Sequence, residues 1–201
     1  MPIISIRNVS VEAQLGLWKI EEESVDDFYS LYPLERFRLY VESHLKSESR
    51  KREFLAVRAL LASMLPGNVV DIDYNEAGKP FIKDYKLSIS HTRGYAAVIL
   101  SPQHEVAVDI EYVSERVGRI VSKFVRHDEV APDIRSQLLH WSAKETVYKF
   151  FSEDDLQYFD MRLREIGDSD CLVDNLKRGS QILVHYECNQ RFMLTYAIAG
   201  Q

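Results

Sequence analysis

Residues 106–112 read VAVDIEY, a run of small and β-branched residues that predicts a strand yet carries two carboxylates. Because side chains alternate between the two faces of a strand, Asp109 and Glu111 should point to the same face. One interpretation is an edge strand whose acids pair with Lys or Arg. The other is a Mg²⁺ site, since Mg²⁺ prefers oxygen ligands and a cation relieves repulsion between neighbouring carboxylates.

The composition limits the classes of protein to consider. The chain has 201 residues, 46% of them hydrophobic, enough for a sizeable core, and its net charge of −6 disfavours bulk nucleic-acid binding. Cys171 and Cys188 form no CxxC pair, so neither a disulfide framework nor a structural zinc site is expected. Without a signal-peptide pattern or an apolar run of about 18 residues, we expect a soluble cytoplasmic protein with no membrane contact.

Apolar periodicity and turn residues predict an alternation of helices and strands. Strands are predicted at 3–7, 14–20, 70–74, 80–82, 86–90, 95–100, 105–112, 161–166, 182–187 and 192–199. The acidic stretch 21–27 starts a helix, and further helices are predicted at 34–45, 49–65, 114–126 and 132–151. The strands between 70 and 112 are spaced as in an antiparallel meander.

The segment WSAKETVYK at 141–149 has Trp, Glu and Lys at intervals of four residues. Trp141, Glu145 and Lys149 therefore lie on one helix face, whereas Lys144 is about 100° away from Glu145. A surface Glu–Lys pair, worth roughly 0.2–0.5 kcal/mol, is the simple interpretation. The tryptophan favours an inward face, which would require partners for the two charges.

Two further motifs offer positive charge. The stretches GKPF at 78–81 and LSISHT at 87–92 present Lys79, Ser90 and His91 as donors for a phosphate, although a loop histidine alone is a weak signal. If 114–126 is a helix, four basic side chains fall within roughly 80° of arc and form either a solvated face or a dock for an acidic partner. These are Arg116, Arg119, Lys123 and Arg126.

Taken in order, NEAGKPF, LSISHT, VAVDIE and WSAKETVYK resemble the motif set of the 4′-phosphopantetheinyl transferase superfamily. The similarity spans about half the chain, and the length is similar to that of the larger, monomeric, surfactin-synthetase-activating type. The resemblance implies an α+β fold of two similar halves, here 1–103 and 104–201, packed as an intramolecular pseudo-dimer with coenzyme A and Mg²⁺ between them. It also implies transfer of the phosphopantetheine arm of coenzyme A to a serine of an apo acyl or peptidyl carrier protein, releasing adenosine 3′,5′-bisphosphate.

The resemblance also implies roles for individual residues. Asp109, Glu111 and Glu145 match the metal ligands, and Glu145 and Lys149 the catalytic pair. Residues that match coenzyme contacts are Arg58, Lys79, Pro80, Ser90, His91 and Asp109, with Arg52 as a weaker candidate. The basic residues of 116–126 follow the D-x-E strand, where the family engages its acidic carrier protein.

The chain departs from the family pattern at two places. Ala107 stands where the family usually has glycine, and FFSEDDLQYF at 150–159 lacks the glycine that often follows the lysine. These departures motivate the rival hypothesis of a non-catalytic module that binds coenzyme A or a carrier protein. A metal-dependent phosphohydrolase is a third, more distant possibility.

Overall fold

The computed structural model describes residues 2–20, 24–65, 67 and 71–200. Within these residues the chain forms two antiparallel sheets and four α-helices, and it is therefore a mixed α+β protein. The helices are α1 Val25–Leu31, α2 Arg38–His44, α3 Glu48–Met64 and α4 Ile134–Phe150. None of the helices described is long and apolar enough to cross a membrane.

The first sheet has six strands in the order β1-β2-β6-β5-β4-β3. They are β1 Ile3–Ser10, β2 Ala13–Lys19, β3 Asp73–Tyr74, β4 Pro80–Ile82, β5 Tyr85–Thr92 and β6 Tyr95–Ser101. Helix α3 packs on one face of this sheet and buries Leu60, Leu61 and Met64 against it. The Ser47 side chain accepts a hydrogen bond from the Arg50 N–H and fixes the start of α3.

The second sheet has five strands in the order β7-β11-β10-β9-β8. They are β7 Val106–Tyr112, β8 Met161–Arg164, β9 Asp170–Asn175, β10 Ser180–Cys188 and β11 Phe192–Ile198. Helix α4 packs on this sheet through Leu139, Ala143 and Val147. Its first turn is closed by a capping box between Asp133 and Ser136.

The two sheets pack against each other through a shared apolar core. Strand β6 is buried on both faces: Val98 packs towards α3, and Ile99 packs between the sheets. From the second sheet, Val108 and Ile110 of β7 enter the same core. The opposite face of β7, which carries Asp109 and Glu111, is therefore directed towards α4.

The predicted helix over 114–126 is wrong. The structure has two separate 3₁₀ turns there, Val117–Arg119 and Val121–Lys123. Gly118 and several β-branched residues make this a weak helix former, so packing of the apolar side chains on α4 decides the local conformation. The basic side chains consequently do not share the face of one continuous helix.

Other differences are smaller. The meander prediction holds from β3 to β6, whereas β7 leaves it and pairs with β11. The predicted helix 34–45 is a 3₁₀ turn, Glu35–Phe37, followed by α2, and the predicted strand 161–166 ends at Arg164, before the left-handed Glu165. Strand β9 was not predicted. The expectations at 21–23 and at residue 70 lie outside the described residues.

Candidate active site

Strand β7 is an edge strand of the second sheet, and side chains of β5 satisfy the N–H groups along its free edge. Three hydroxyls accept these hydrogen bonds: Ser88 from Val108 (3.1 Å), Ser90 from Ile110 (3.2 Å) and Thr92 from Tyr112 (3.3 Å). Residues spaced by two share one face of a strand, so S-x-S-x-T presents all three hydroxyls to β7. This row of three hydroxyls on β5 joins the two sheets beside Asp109 and Glu111 of β7.

Asp109 is buried, and its carboxylate accepts hydrogen bonds from the first sheet and from α4. Its Oδ1 accepts from Ser90 Oγ at 2.9 Å and from Lys149 Nζ at 2.8 Å, and its Oδ2 accepts from Ser142 Oγ at 2.7 Å. Lys149 also donates to the Val108 carbonyl at 3.0 Å. The ion pair with Lys149 satisfies the charge of Asp109, as a buried carboxylate requires.

A buried hydroxyl network lies behind Asp109. The Ser142 hydroxyl lies 2.9 Å from that of Thr195 on β11, which in turn lies 2.6 Å from that of Thr146. Sequence reasoning missed these residues, although Ser142 and Thr146 are four apart on α4 and so on one face. The network fixes the position of Ser142 and, through it, of Asp109.

Glu111 is held by the indole of Trp141, which donates from Nε1 to Oε1 at 2.9 Å. Burial raises the pKa of Glu111 to about 7, and the neighbouring Asp109 and Glu145 carboxylates add to the shift, against the Trp141 hydrogen bond. Trp141, on the predicted inward face of α4, thus contacts Glu111 of β7. Glu111 is a carboxylate whose negative charge is poorly compensated by the protein.

Glu145 is one helical turn beyond Trp141 and accepts a hydrogen bond from the Tyr158 phenol at 2.6 Å. Burial raises the pKa of Glu145, and the Asp109 charge acts in the same direction, while Tyr158 and Lys149 oppose it. Tyr158 was not anticipated from the sequence. In the part of the chain that the structure describes, no group of three or more His, Cys, Asp or Glu meets the geometry of a formed metal site.

A cleft of about 230 Å³ opens beside Lys149, between the turn that carries the GKPF motif and helix α4. Gly78, Lys79 and Pro80 form one wall, and Tyr148 and Lys149 of α4 form the other. The Lys79 ammonium is paired with Glu105 at 2.6 Å, an acid that also binds Lys86. Gly78 has φ +76, a left-handed conformation that favours glycine at this turn.

A second cavity, of about 210 Å³, lies between α3 and β5 and contains Arg58 and His91. The Arg58 guanidinium stacks 3.3 Å from the centre of the Phe54 ring, its Nε is buried without a partner in the described residues, and burial lowers its pKa to about 10. His91 Nδ1 lies 3.4 Å from Glu53, and burial lowers its pKa. The cavity therefore holds a half-buried guanidinium suited to binding an anion.

Arg50 rather than Arg52 lines this cavity. The two predicted arginines, Arg52 and Arg58, are six positions apart and so point about 120° from each other around α3, whereas Arg50 and Arg58 are eight apart and about 80° from each other. Arg50 also donates to Glu53 at 3.0 Å. Sequence reasoning missed Arg50, because its spacing from Arg58 does not place the two side chains on one narrow face of α3.

The predicted basic surface is only partly open. Arg116, Arg119 and Lys123 are exposed, but Arg126 turns inwards and binds Asp128 and the Phe159 carbonyl. Arg126 is therefore a bridge between loops and not a member of the exposed patch, which corrects the prediction of a four-residue stripe. An apolar cavity of about 240 Å³ lies beside Arg116 and is also lined by Glu111.

Lys144 belongs to a buried ion pair. It is fully buried and donates to Glu129 at 2.7 Å and to the Phe124 carbonyl at 2.7 Å. Glu129 accepts in addition from the N–H groups of Arg126 and Leu163. Lys144 thus ties the segment after β7 to α4.

Ala107 is fully buried in β7 opposite Ala197 of β11. Among described residues other than glycine, a positive φ is confined to Asp84, Asp155 and Glu165, so the backbone at Ala107 does not require glycine. Asp155 adopts φ +47 in the segment after Lys149 and supplies the left-handed turn there without glycine.

The chain matches no family model, and no curated protein matches it at a significant level. The case for a function therefore rests on the residues of the site.

Proposed function

We propose that this protein is a Mg²⁺-dependent 4′-phosphopantetheinyl transferase that acts on an apo acyl or peptidyl carrier protein. The observation that carries the proposal is the grouping of Asp109, Glu111, Glu145 and Lys149 beside a cleft whose other wall is the turn around Lys79. Mutually interacting acids next to lysines are suited to the transfer of a phosphoryl-linked group, in which charge develops on several oxygens.

The donor set fits Mg²⁺. Asp109, Glu111 and Glu145 would hold the ion, because Mg²⁺ prefers carboxylate oxygens and would offset the charge of Glu111, whose pKa is raised to about 7 by burial and further by the neighbouring Asp109 and Glu145. Although both Asp109 oxygens accept hydrogen bonds, a carboxylate has about four lone-pair sites. When bound, Mg²⁺ supplies Lewis-acid polarisation of the pyrophosphate of coenzyme A.

The chain's own groups would manage the proton and the phosphate charge. The carrier serine oxygen forms a bond to the β-phosphorus, the bond from that phosphorus to the bridging oxygen breaks, and adenosine 3′,5′-bisphosphate leaves. Glu145 accepts the serine proton, in line with its raised pKa. Lys149, one quarter exposed, faces the cleft and offsets charge on the phosphates.

The two cavities divide the proposed coenzyme contacts. Arg58 and His91, with Arg50, would bind a phosphate of the nucleotide, because Arg58 is a half-buried cation whose Nε has no hydrogen-bond partner in the described residues. Lys79 and Pro80 would line the path towards Lys149. Ser90 would act indirectly by orienting Asp109. Arg52 does not line either cavity, although its Nε is also buried without a hydrogen-bond partner in the described residues.

The proposal includes a pseudo-dimer of two similar halves, 1–103 and 104–201, in a monomer. Supporting it, each sheet carries one 17-residue helix on its outer face, α3 and α4, and the sheets meet face to face. The exposed Arg116, Arg119 and Lys123 would dock the acidic carrier protein by charge complementarity.

The direct test is incubation of apo carrier proteins with coenzyme A, Mg²⁺ and this protein, followed by intact-mass analysis of the carrier. We expect a gain of one phosphopantetheine per carrier. Release of a hydrolysed nucleotide without modification of the carrier would instead indicate a phosphohydrolase.

A non-catalytic module that binds coenzyme A or a carrier is the second candidate. The hydrogen bonds that already occupy Asp109 and Glu145 favour it, since a pure binder would keep such acids satisfied internally. Calorimetry that detects coenzyme A binding, together with no transfer to any carrier, would select this function.

A further inference from the structure

The segment between α4 and β8 lies outside the motif set that carries the resemblance, yet it reaches the proposed catalytic acid. Tyr158 belongs to a 3₁₀ turn, Tyr158–Asp160, and its phenol donates to Glu145 Oε1 at 2.6 Å. Such a short bond from a phenol to a carboxylate is typical of a charge-assisted hydrogen bond. The contact links a residue of this segment to the centre of the site.

Tyr158 is held in place on two sides. Its ring packs 5.2 Å from the Trp141 ring, centre to centre, and the same indole donates to Glu111. The 3₁₀ turn is closed by a hydrogen bond from the Gln157 N–H to Asp160 at 2.8 Å. The phenol therefore meets Glu145 from a rigid support.

The preceding loop is also fixed to the rest of the second sheet. Asp154 accepts a hydrogen bond from the Asn175 side chain at 3.0 Å and pairs with Arg178, both on or beside the β9–β10 turn. Lys177 donates to the carbonyls of Asp154 and Asp155. These contacts define the path of the chain that delivers Tyr158.

A polar cavity of about 350 Å³ lies where Tyr158 meets Glu145. It is also lined by Tyr148, which borders the cleft beside Lys149, so the two spaces adjoin. An acceptor that approaches from this cavity would reach Glu145 from the side of the loop.

We propose that Tyr158 is a positioning residue that holds Glu145 Oε1 and leaves Oε2 directed at the acceptor hydroxyl. This inference rests on the proposed function, because it assigns the acceptor side of that site to the segment 151–158. Tyr158 itself exchanges no proton with the substrate. Its role is to keep one carboxylate orientation populated during the transfer.

The test compares Tyr158→Phe with Tyr29→Phe, which removes a phenol hydroxyl on α1 that has no hydrogen-bond partner in the described residues. For Tyr158→Phe we expect kcat to fall by about ten- to a hundredfold, with KM for coenzyme A and for the carrier unchanged. The thermal midpoints of both variants should stay close to that of the wild type. A kcat for Tyr158→Phe within twofold of the wild-type value would overturn the proposal.

A crystal structure of Tyr158→Phe gives a readout that does not depend on activity. We expect Glu145 to leave its wild-type rotamer; an unmoved Glu145 would overturn the positioning role. If the wild type modifies no carrier, the proposed function fails, and the orientation of Glu145 in this variant still decides whether Tyr158 positions it.

Discussion

Glu111 carries a poorly compensated charge at the site. It is half-buried beside Asp109 and Glu145, and its main hydrogen bond comes from a neutral indole. Asp109, by contrast, receives a lysine and two hydroxyls. The difference between the two acids of one strand arises from their neighbours and not from the strand itself.

The Glu111→Gln variant should change the pH dependence of stability. Because the folded-state pKa of Glu111 is raised to about 7, its ionisation destabilises the fold as pH rises from about 4.5 through 7, and no penalty applies below that range. Without Mg²⁺, we expect the variant to be more stable than the wild type at pH 8, by on the order of 1–3 kcal/mol, and equal to it at pH 4. Urea unfolding at both pH values measures this.

The control for this comparison is the exposed Glu115→Gln. A constant difference between wild type and Glu111→Gln across the pH range would contradict the assignment of the buried charge. Addition of Mg²⁺ should raise wild-type stability more at pH 8 than at pH 4, since the ion binds the ionised carboxylates.

At the scale of elements, the row of hydroxyls on β5 joins the two sheets. It caps N–H groups of an edge strand that no further strand covers. Buried N–H groups without an acceptor are costly, so the S-x-S-x-T pattern contributes to stability as well as to the position of Asp109.

Ser88→Ala should destabilise the protein by about 1–2 kcal/mol, because it leaves the buried Val108 N–H without its acceptor. Because Ser88 also lines the cleft beside Lys149, stability and not transfer activity is the quantity to compare. The partly exposed Ser5→Ala on β1 is the matched control. Equal urea midpoints for the two variants would contradict the role of the row.

The buried pair of Lys144 and Glu129 fixes the segment that follows β7 to α4. Lys144→Met leaves Glu129 buried without its cation and should cost about 3–5 kcal/mol of stability. The double variant Lys144→Met with Glu129→Gln should recover part of this loss. A single variant as stable as the wild type would show that the pair does not secure this segment.

At the scale of the whole molecule, the sequence predicted the elements with strong periodicity and missed features that depend on tertiary contacts. Helices α3 and α4 and strands β5 and β6 follow their apolar spacing closely. The segment 114–126 has helical spacing too, but its weak intrinsic preference yields to packing against α4.

The candidate site was predictable to a similar extent. The two-residue period of a strand predicted that Asp109 and Glu111 share a face. The four-residue spacing of Trp141, Glu145 and Lys149 predicted that they share one face of a helix. Ser142, Thr195 and Tyr158 could not be found this way, because they reach the acids from separate elements brought together only by folding. Arg50 could not be found from its spacing either, because it is about 80° from Arg58 around α3 and only the folded structure shows that it lines the cavity.

In the proposed function, Asp109 is required for transfer of the phosphopantetheine group to a carrier protein. The measurement is the intact mass of an apo carrier after incubation with coenzyme A, Mg²⁺ and either the wild type, Asp109→Asn or Asp174→Asn. Asp174 is the control because it is a buried acid that is paired with Arg162 away from the site. We expect phosphopantetheinylation by wild type and by Asp174→Asn, and a rate lowered at least about a hundredfold by Asp109→Asn. Transfer by Asp109→Asn at the wild-type rate, or no modification of any carrier by the folded wild type, would contradict it.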